Sequence, residues 1–234
     1  MISEISSKEN PEPVPAATQL LGVTFLSGVD GYLRRHTAID AQLRITLHRI
    51  MTRDSFSYLQ QLCSYVSDAK PNPAKVGRLI PVTEGIVGRA YAKKSVVRTR
   101  FYQSEEALNA DLDSDMRDTK DDSPRSAVAE SYLAIPMLNK RGDVSTIFYG
   151  DAKIFNLFAN DEIVKDIVAM CSGFCRTVDE LVRSPISGFQ NFPLEFGIPV
   201  KEMDTVYPRL QEVFLVDSLP RYSDVTSFNF ENRL

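Results

Sequence analysis

The stretch SYLAIPMLNKRGDVSTIFYGD, Ser131 to Asp151, constrains the fold more than any other part of the chain. It reads as two apolar strands joined by a charged turn that contains Gly142. Both faces of both strands are apolar, and Pro136 sits inside the first. A strand that is apolar on both faces must be covered on both. The segment therefore predicts a hairpin at the centre of a sheet, with other elements packed above and below it.

The rest of the chain supplies candidates for those layers. From Ala17 to about Arg35 the apolar residues Leu20, Leu21, Val23, Phe25, Leu26, Val29, Tyr32 and Leu33 fit a helix with a broad apolar stripe, weakened by Gly22, Gly28 and Gly31. LRITLHRIM alternates Leu43, Ile45 and Leu47 against Arg44, Thr46 and His48, the period of a half-buried strand. FSYLQQLCSYVS and RLIPV predict two more strands. GIVGRAYAKK predicts a short helix with Thr83 as its N-cap, and SVVRTR a further strand. Residues 102–130 are acidic and read as one long irregular loop. After the hairpin, Asn160 caps a helix to about Arg183, with Asp161 and Glu162 in its first turn. Its apolar positions, among them Ile163, Val164, Ile167, Val168, Cys171, Cys175 and Val178, have helical spacing.

This order predicts an α+β fold. An antiparallel sheet of about six strands carries the N- and C-terminal helices on one face, with the short helix and the long loop on the other. Residues 1–16, with Pro11, Pro13 and Pro15, read as a mobile arm, 17–183 as the domain and 184–234 as a C-terminal extension. Composition agrees with a globular chain: 43% hydrophobic and 25% charged residues over 234 positions. A net charge of −4 does not suggest nucleic acid. No apolar run approaches a membrane span, and the N-terminus has no secretory pattern. Three widely spaced cysteines make no disulfide framework, so the expected compartment is the cytoplasm.

EGIVGRAYAKKSVVRT, then the hairpin, then FANDEI and a long amphipathic helix together resemble a GAF domain over roughly Thr18 to Val182. The resemblance implies a six-stranded antiparallel sheet, a helical face that often dimerises, and a small-molecule pocket on the opposite face. That family commonly carries a proline in the strand before its hairpin, as Pro136 does here. Its members include cyclic-nucleotide, bilin, haem, iron and metabolite binders as well as plain dimerisation modules, so the fold does not name a ligand.

Four candidate sites stand out. Asn139 and Lys140, then Phe158, Asp161 and Glu162, approach the signature of cyclic-nucleotide-binding members but are one residue short; the alternative is a polar turn and a helix start. Thr83, Glu84, Gly85, Val87 and Gly88 open the short helix and border the expected pocket. Free N–H groups there favour an anion, which Arg98 or Arg100 could grip. The alternative is a tight strand-to-helix turn. Cys171 and Cys175 stand one helical turn apart, as a redox pair or as packed core. Asp111, Asp113, Asp115 and Asp122 have partial EF-hand spacing, but Met116 holds the position that needs glycine. The methionine sulfoxide reductase and bilin branches of the resemblance need a cysteine near the pocket, and 68–130 contains none. No cofactor is named by any motif, no metal site is expected, and the reading is a non-enzyme.

The extension carries Phe189, Phe192, Phe196, Tyr207, Phe214, Tyr222, Phe228 and Phe230, too aromatic for a solvated linker. YPRLQEVFLVDSL predicts a short helix from Pro208. The extension either packs on its own domain or docks on a partner protein. Together these readings predict a homodimeric sensor of a small, anionic ligand. The alternatives are an interaction module with a vestigial pocket and a cysteine redox switch.

Overall fold

A computed structural model of the chain describes residues 14, 16–37, 42–53, 56–67, 75–83, 85–111, 129–183, 210–214 and 218–223. Seven strands form one antiparallel sheet: β1 (Leu43–Arg53), β2 (Phe56–Gln61), β3 (Leu79–Pro81), β4 (Val96–Thr99), β5 (Ser131–Leu138), β6 (Val144–Ala152) and β7 (Leu210–Val213). Their spatial order is β3-β2-β1-β6-β5-β4-β7. The helices are α1 (Ala16–Leu33), α2 (Gly85–Lys93), α3 (105–111) and α4 (Asp161–Arg183), with a 3-10 turn at Leu157–Ala159 before α4.

The β5–β6 hairpin is central, as its two-faced apolar run predicts. Period-2 alternation divides its side chains between two cores. Leu133, Ile135, Met137 and Phe148 face α1 and α4, with Leu43, Ile45 and Leu47 of β1. Ala134, Leu138 and Ile147 face α2, with Ile50, Leu59 and Val97. The domain thus has three layers: α1 and α4, the sheet, and α2.

Pro136 is tolerated for a local reason. β4 pairs with β5 only at Ala134 and Leu133. Two residues beyond Pro136, the Leu138 N–H points away from β6 and donates to the Pro220 carbonyl at 2.8 Å. The nitrogen of Pro136 points the same way, into a stretch where β4 has already ended, so no ladder bond is lost. At the turn, Asn139 Oδ1 accepts from the N–H groups of Arg141 and Asp143, each at 2.9 Å. Gly142 supplies the positive φ, 86°, that the turn needs.

α4 starts as the sequence predicts. Asn160 Oδ1 accepts from the Glu162 N–H at 2.9 Å and the Ile163 N–H at 3.4 Å. Two expectations need correction. Leu210–Val213 is a strand, not a helix: it fills the open edge of β4 across the pairs Thr99–Leu210 to Val96–Val213. An edge of unpaired backbone groups outweighs a weak local helical tendency. The acidic segment is not wholly irregular, because it begins with α3; Asp113, Asp115, Asp118, Asp121 and Asp122 lie outside the described residues.

The described parts of the extension pack on their own domain. After β7, Tyr222 runs back to α4 and is fully buried. Its hydroxyl meets Thr146 Oγ1 at 2.9 Å, and its N–H donates to Leu138 O at 2.9 Å. The next N–H, of Ser223, donates to Asp179 Oδ2 on α4 at 2.6 Å.

Candidate functional site

Between α2 and the sheet lies a cavity of about 340 Å³. It is built from several separate stretches of the chain. β1 contributes His48, β6 Tyr149 and β5 Tyr132. Tyr65 and Arg78 come from the segments that follow β2 and precede β3, and Ile80 from β3. The first turn of α2 gives Gly85, Ile86 and Val87, and β7 gives Leu210. Arg44, Thr46 and His48 form the polar side of the β1 alternation; that side faces this layer, with Thr46 and His48 buried and Arg44 half-buried. Three tyrosines and one imidazole make much of the wall. The rings of His48 and Tyr149 meet edge to face at 6.1 Å, and those of Tyr65 and Tyr149 at 6.4 Å.

Behind the wall sits a saturated polar cluster. Arg44 grips the buried Asp151 with two bonds, Nε to Oδ1 at 2.8 Å and Nη2 to Oδ2 at 3.0 Å. The Tyr149 hydroxyl donates to the same Asp151 at 2.7 Å. Burial, then the Asp151 charge, raises the Tyr149 phenol well above its ordinary range, so its proton stays in place. Arg44 and Lys75 also lie over the Tyr65 ring, 5.5 and 5.3 Å from its centroid.

In the cavity itself polar groups are unmet. His48 is 2% exposed, and neither ring nitrogen has a hydrogen-bond partner. Arg78 is half-buried and bonds to Tyr65, but its buried Nε lacks a partner. Among the described residues no carboxylate pairs with Arg78. Burial, then the Arg78 charge, lowers His48 to about 3, so the ring is neutral at physiological pH. An unfolded chain would protonate this histidine near 6.5 while the folded one resists to about 3. Folding stability is therefore expected to fall as pH drops through that window, by up to about 1.4 kcal/mol per unit. Urea titrations from pH 7 to 4 check this: the slope should shrink by about one proton in His48→Gln, and an unchanged slope would contradict it.

The structure separates the residues that the sequence groups together. Gly85 and Val87 line the cavity. Gly85 has φ of 61°, and Thr83 is exposed just before it. Glu84 lies outside the described residues. Gly88 lies behind the wall: a Cβ there would come 2.4 Å from the Val82 carbonyl oxygen, so glycine lets α2 sit against that backbone. Arg98 is not at the cavity. It faces the α4 side, where it donates to the carbonyls of Phe158 and Ala159 and pairs with Asp161 at 2.6 Å. With the Gln211 amide oxygen turned toward it, Arg98 gains two further bonds, at 3.1 and 3.2 Å. These bonds join β4, β7 and the start of α4. Arg100 is half exposed, bound to Asp111 at 2.6 Å and stacked on Tyr102. The cavity's arginine is Arg78.

The other candidates resolve structurally. Asn139 builds the hairpin turn, Lys140 is exposed, and Phe158 is buried in the α4 core. Asp161 and Glu162 form the first turn of α4. Asp111 accepts from Arg100 and Tyr102. Among the described residues no three of His, Cys, Asp and Glu converge as metal ligands, and no helix is long and apolar enough to cross a membrane. Cys171 and Cys175 lie in the α4 core, fully buried. Burial raises both thiols well above their ordinary range. Iodoacetamide at pH 7.5 is expected to leave both unlabelled in the native protein and to label both in urea. Rapid native labelling, read by peptide mass, would restore the redox reading.

No family model matches the chain, and no curated protein matches it. Among solved structures, the IcIR transcriptional regulator from Alicyclobacillus acidocaldarius is similar at 15% identity with a TM-score of 0.32. The match covers 66% of this chain and 65% of that one, just under two thirds of the regulator's length. A likeness this weak says nothing about function.

Proposed function

We propose that the chain is a GAF-type sensory module that binds a small ligand in the α2 cavity and signals through a dimer to a separate protein. The observation that carries this reading is the cavity's unmet polarity. A buried imidazole without partners is costly in a domain unless something meets it, and the half-buried Arg78 beside it brings a charge that no carboxylate among the described residues pairs. A vestigial pocket would be filled by apolar side chains, whereas this one is open and lined by both kinds.

The groups present suit binding better than turnover. His48 is too weakly basic to hold a proton at neutral pH, and the Tyr149 proton is committed to Asp151. Two routes lead from the cavity to the helical layer. β1 places His48 on the cavity side and Leu47 under the helices. The extension places Leu210 on the cavity and Tyr222 against α4. The outward side of α1 is apolar or small, with Leu20 65% and Val23 37% exposed beside Thr24, Ser27, Gly28 and Gly31, which supports α1 as the dimer surface.

Native mass spectrometry of protein purified from its own host tests the reading. The expected result is a dimer that retains a small molecule, released on denaturation. A monomer with no retained mass, unaffected in melting temperature by a host metabolite extract, would overturn it.

A further inference from the structure

Resting on that ligand-binding reading, we infer that the ligand is a planar aromatic carboxylate with a hydrogen-bonding group on its ring. Four observations define this class. First, the charge of the described lining is positive: Arg78 faces the cavity without a carboxylate among the described residues, while the nearby Arg44 and Asp151 cancel each other. A guanidinium fork matches a carboxylate and gives two parallel bonds. Second, the walls are rings. Tyr65, Tyr132 and Tyr149 surround the space, with Ile80, Ile86, Val87 and Leu210 completing it, so a flat apolar body is favoured over a flexible polar chain. Third, His48 is buried with both ring nitrogens unmet. As a neutral imidazole it offers one donor and one acceptor, which suits a ring hydroxyl or ring N–H. Fourth, about 340 Å³ is at the small end for ligand cavities, room for one or two fused rings.

The division of labour comes from these positions. Arg78 neutralises the acid and sets the ligand's orientation. The tyrosines exclude ligands that lack a ring. His48 distinguishes substituted from unsubstituted rings, because an unsubstituted ring leaves the imidazole unpaired. An aliphatic diacid would satisfy Arg78 but place its second charge among the rings, where Arg44 is already paired with Asp151. A neutral ring amide would fill the walls but leave Arg78 uncompensated.

The test is thermal shift and calorimetry on the full chain with 4-hydroxybenzoate, indole-3-carboxylate, benzoate, benzamide and 2-oxoglutarate, alongside a host metabolite extract. The expected result is that the aromatic acids raise the melting temperature. 4-Hydroxybenzoate or indole-3-carboxylate should bind about tenfold tighter than benzoate, and benzamide and 2-oxoglutarate should bind weakly or not at all. Arg78→Met should abolish acid binding. If that variant loses its cooperative transition, Arg78→Lys is used, with an expected loss of about tenfold because ammonium cannot reproduce the fork. His48→Leu should erase the preference for the substituted rings. Stabilisation by the extract with no response to the aromatic acids would overturn the ligand class and leave the sensor reading standing. A response to 2-oxoglutarate alone, or to benzamide as strongly as to benzoate, would do the same. No stabilisation by any of these, the extract included, would overturn both.

Discussion

Tyr222→Ala is expected to destabilise the domain by about 3–5 kcal/mol, the range for removing a fully buried aromatic side chain. The ring fills space between α4 and the sheet and belongs to the same core as Phe148 and Phe174. Its removal leaves a cavity and also frees the strap formed by Pro220, Tyr222 and Ser223. Those residues otherwise hold β5 and α4 through Leu138 and Asp179. Tyr222→Phe isolates the hydroxyl. It keeps the ring and loses the bond to Thr146, so about 1 kcal/mol is expected. Urea denaturation gives both values. Limited proteolysis gives an independent readout, since the alanine variant should be cut in the extension much faster than the parent. An alanine variant as stable as the parent would show that the extension is not part of the domain.

The second large effect is at Asp151. It is 1% exposed and accepts from Arg44 twice and from Tyr149 once. Asp151→Ala strands both partners, leaving a half-buried guanidinium and a buried phenol unmet. About 3–5 kcal/mol is expected for breaking such a pair from one side. Asp151→Asn can still accept from one partner and should cost less than the alanine. The comparison by urea midpoint separates loss of the pair from loss of volume. Equal midpoints for the parent and the alanine variant would mean the cluster contributes nothing. The Asn variant should also loosen the Tyr149 ring, which is read as a change in near-ultraviolet circular dichroism.

These two sites show where sequence reasoning reaches and where it stops. The hairpin is legible because a run apolar on both faces has one physical solution, burial on both. α4 is legible because apolar positions at helical spacing come after an asparagine cap. β7 is not legible: LQEV has no pattern of its own, and what makes it a strand is the unpaired edge of β4, far away in sequence. The cavity is half legible. Glycines at 85 and 88 mark the α2 turn, but the polar side of β1 reads as solvent-facing when its His48 is in fact part of the chamber wall. The choice between arginines fails for a reason of parity. Val96 and Val97 are both apolar, so nothing in SVVRTR says which face Arg98 takes, and it takes the α4 face. Arg78 precedes a three-residue strand, too short for alternation to place its side chain.

Because Leu210 lies so far along the chain from the other lining residues, the chamber cannot be completed early in synthesis. The ribosome adds roughly 5–20 residues per second, so β4 waits several seconds for its neighbour after it emerges. During that interval the nascent chain has an uncovered strand edge and a cavity missing one side. A chaperone that shields that edge would have its greatest influence on yield then, before the sheet is complete.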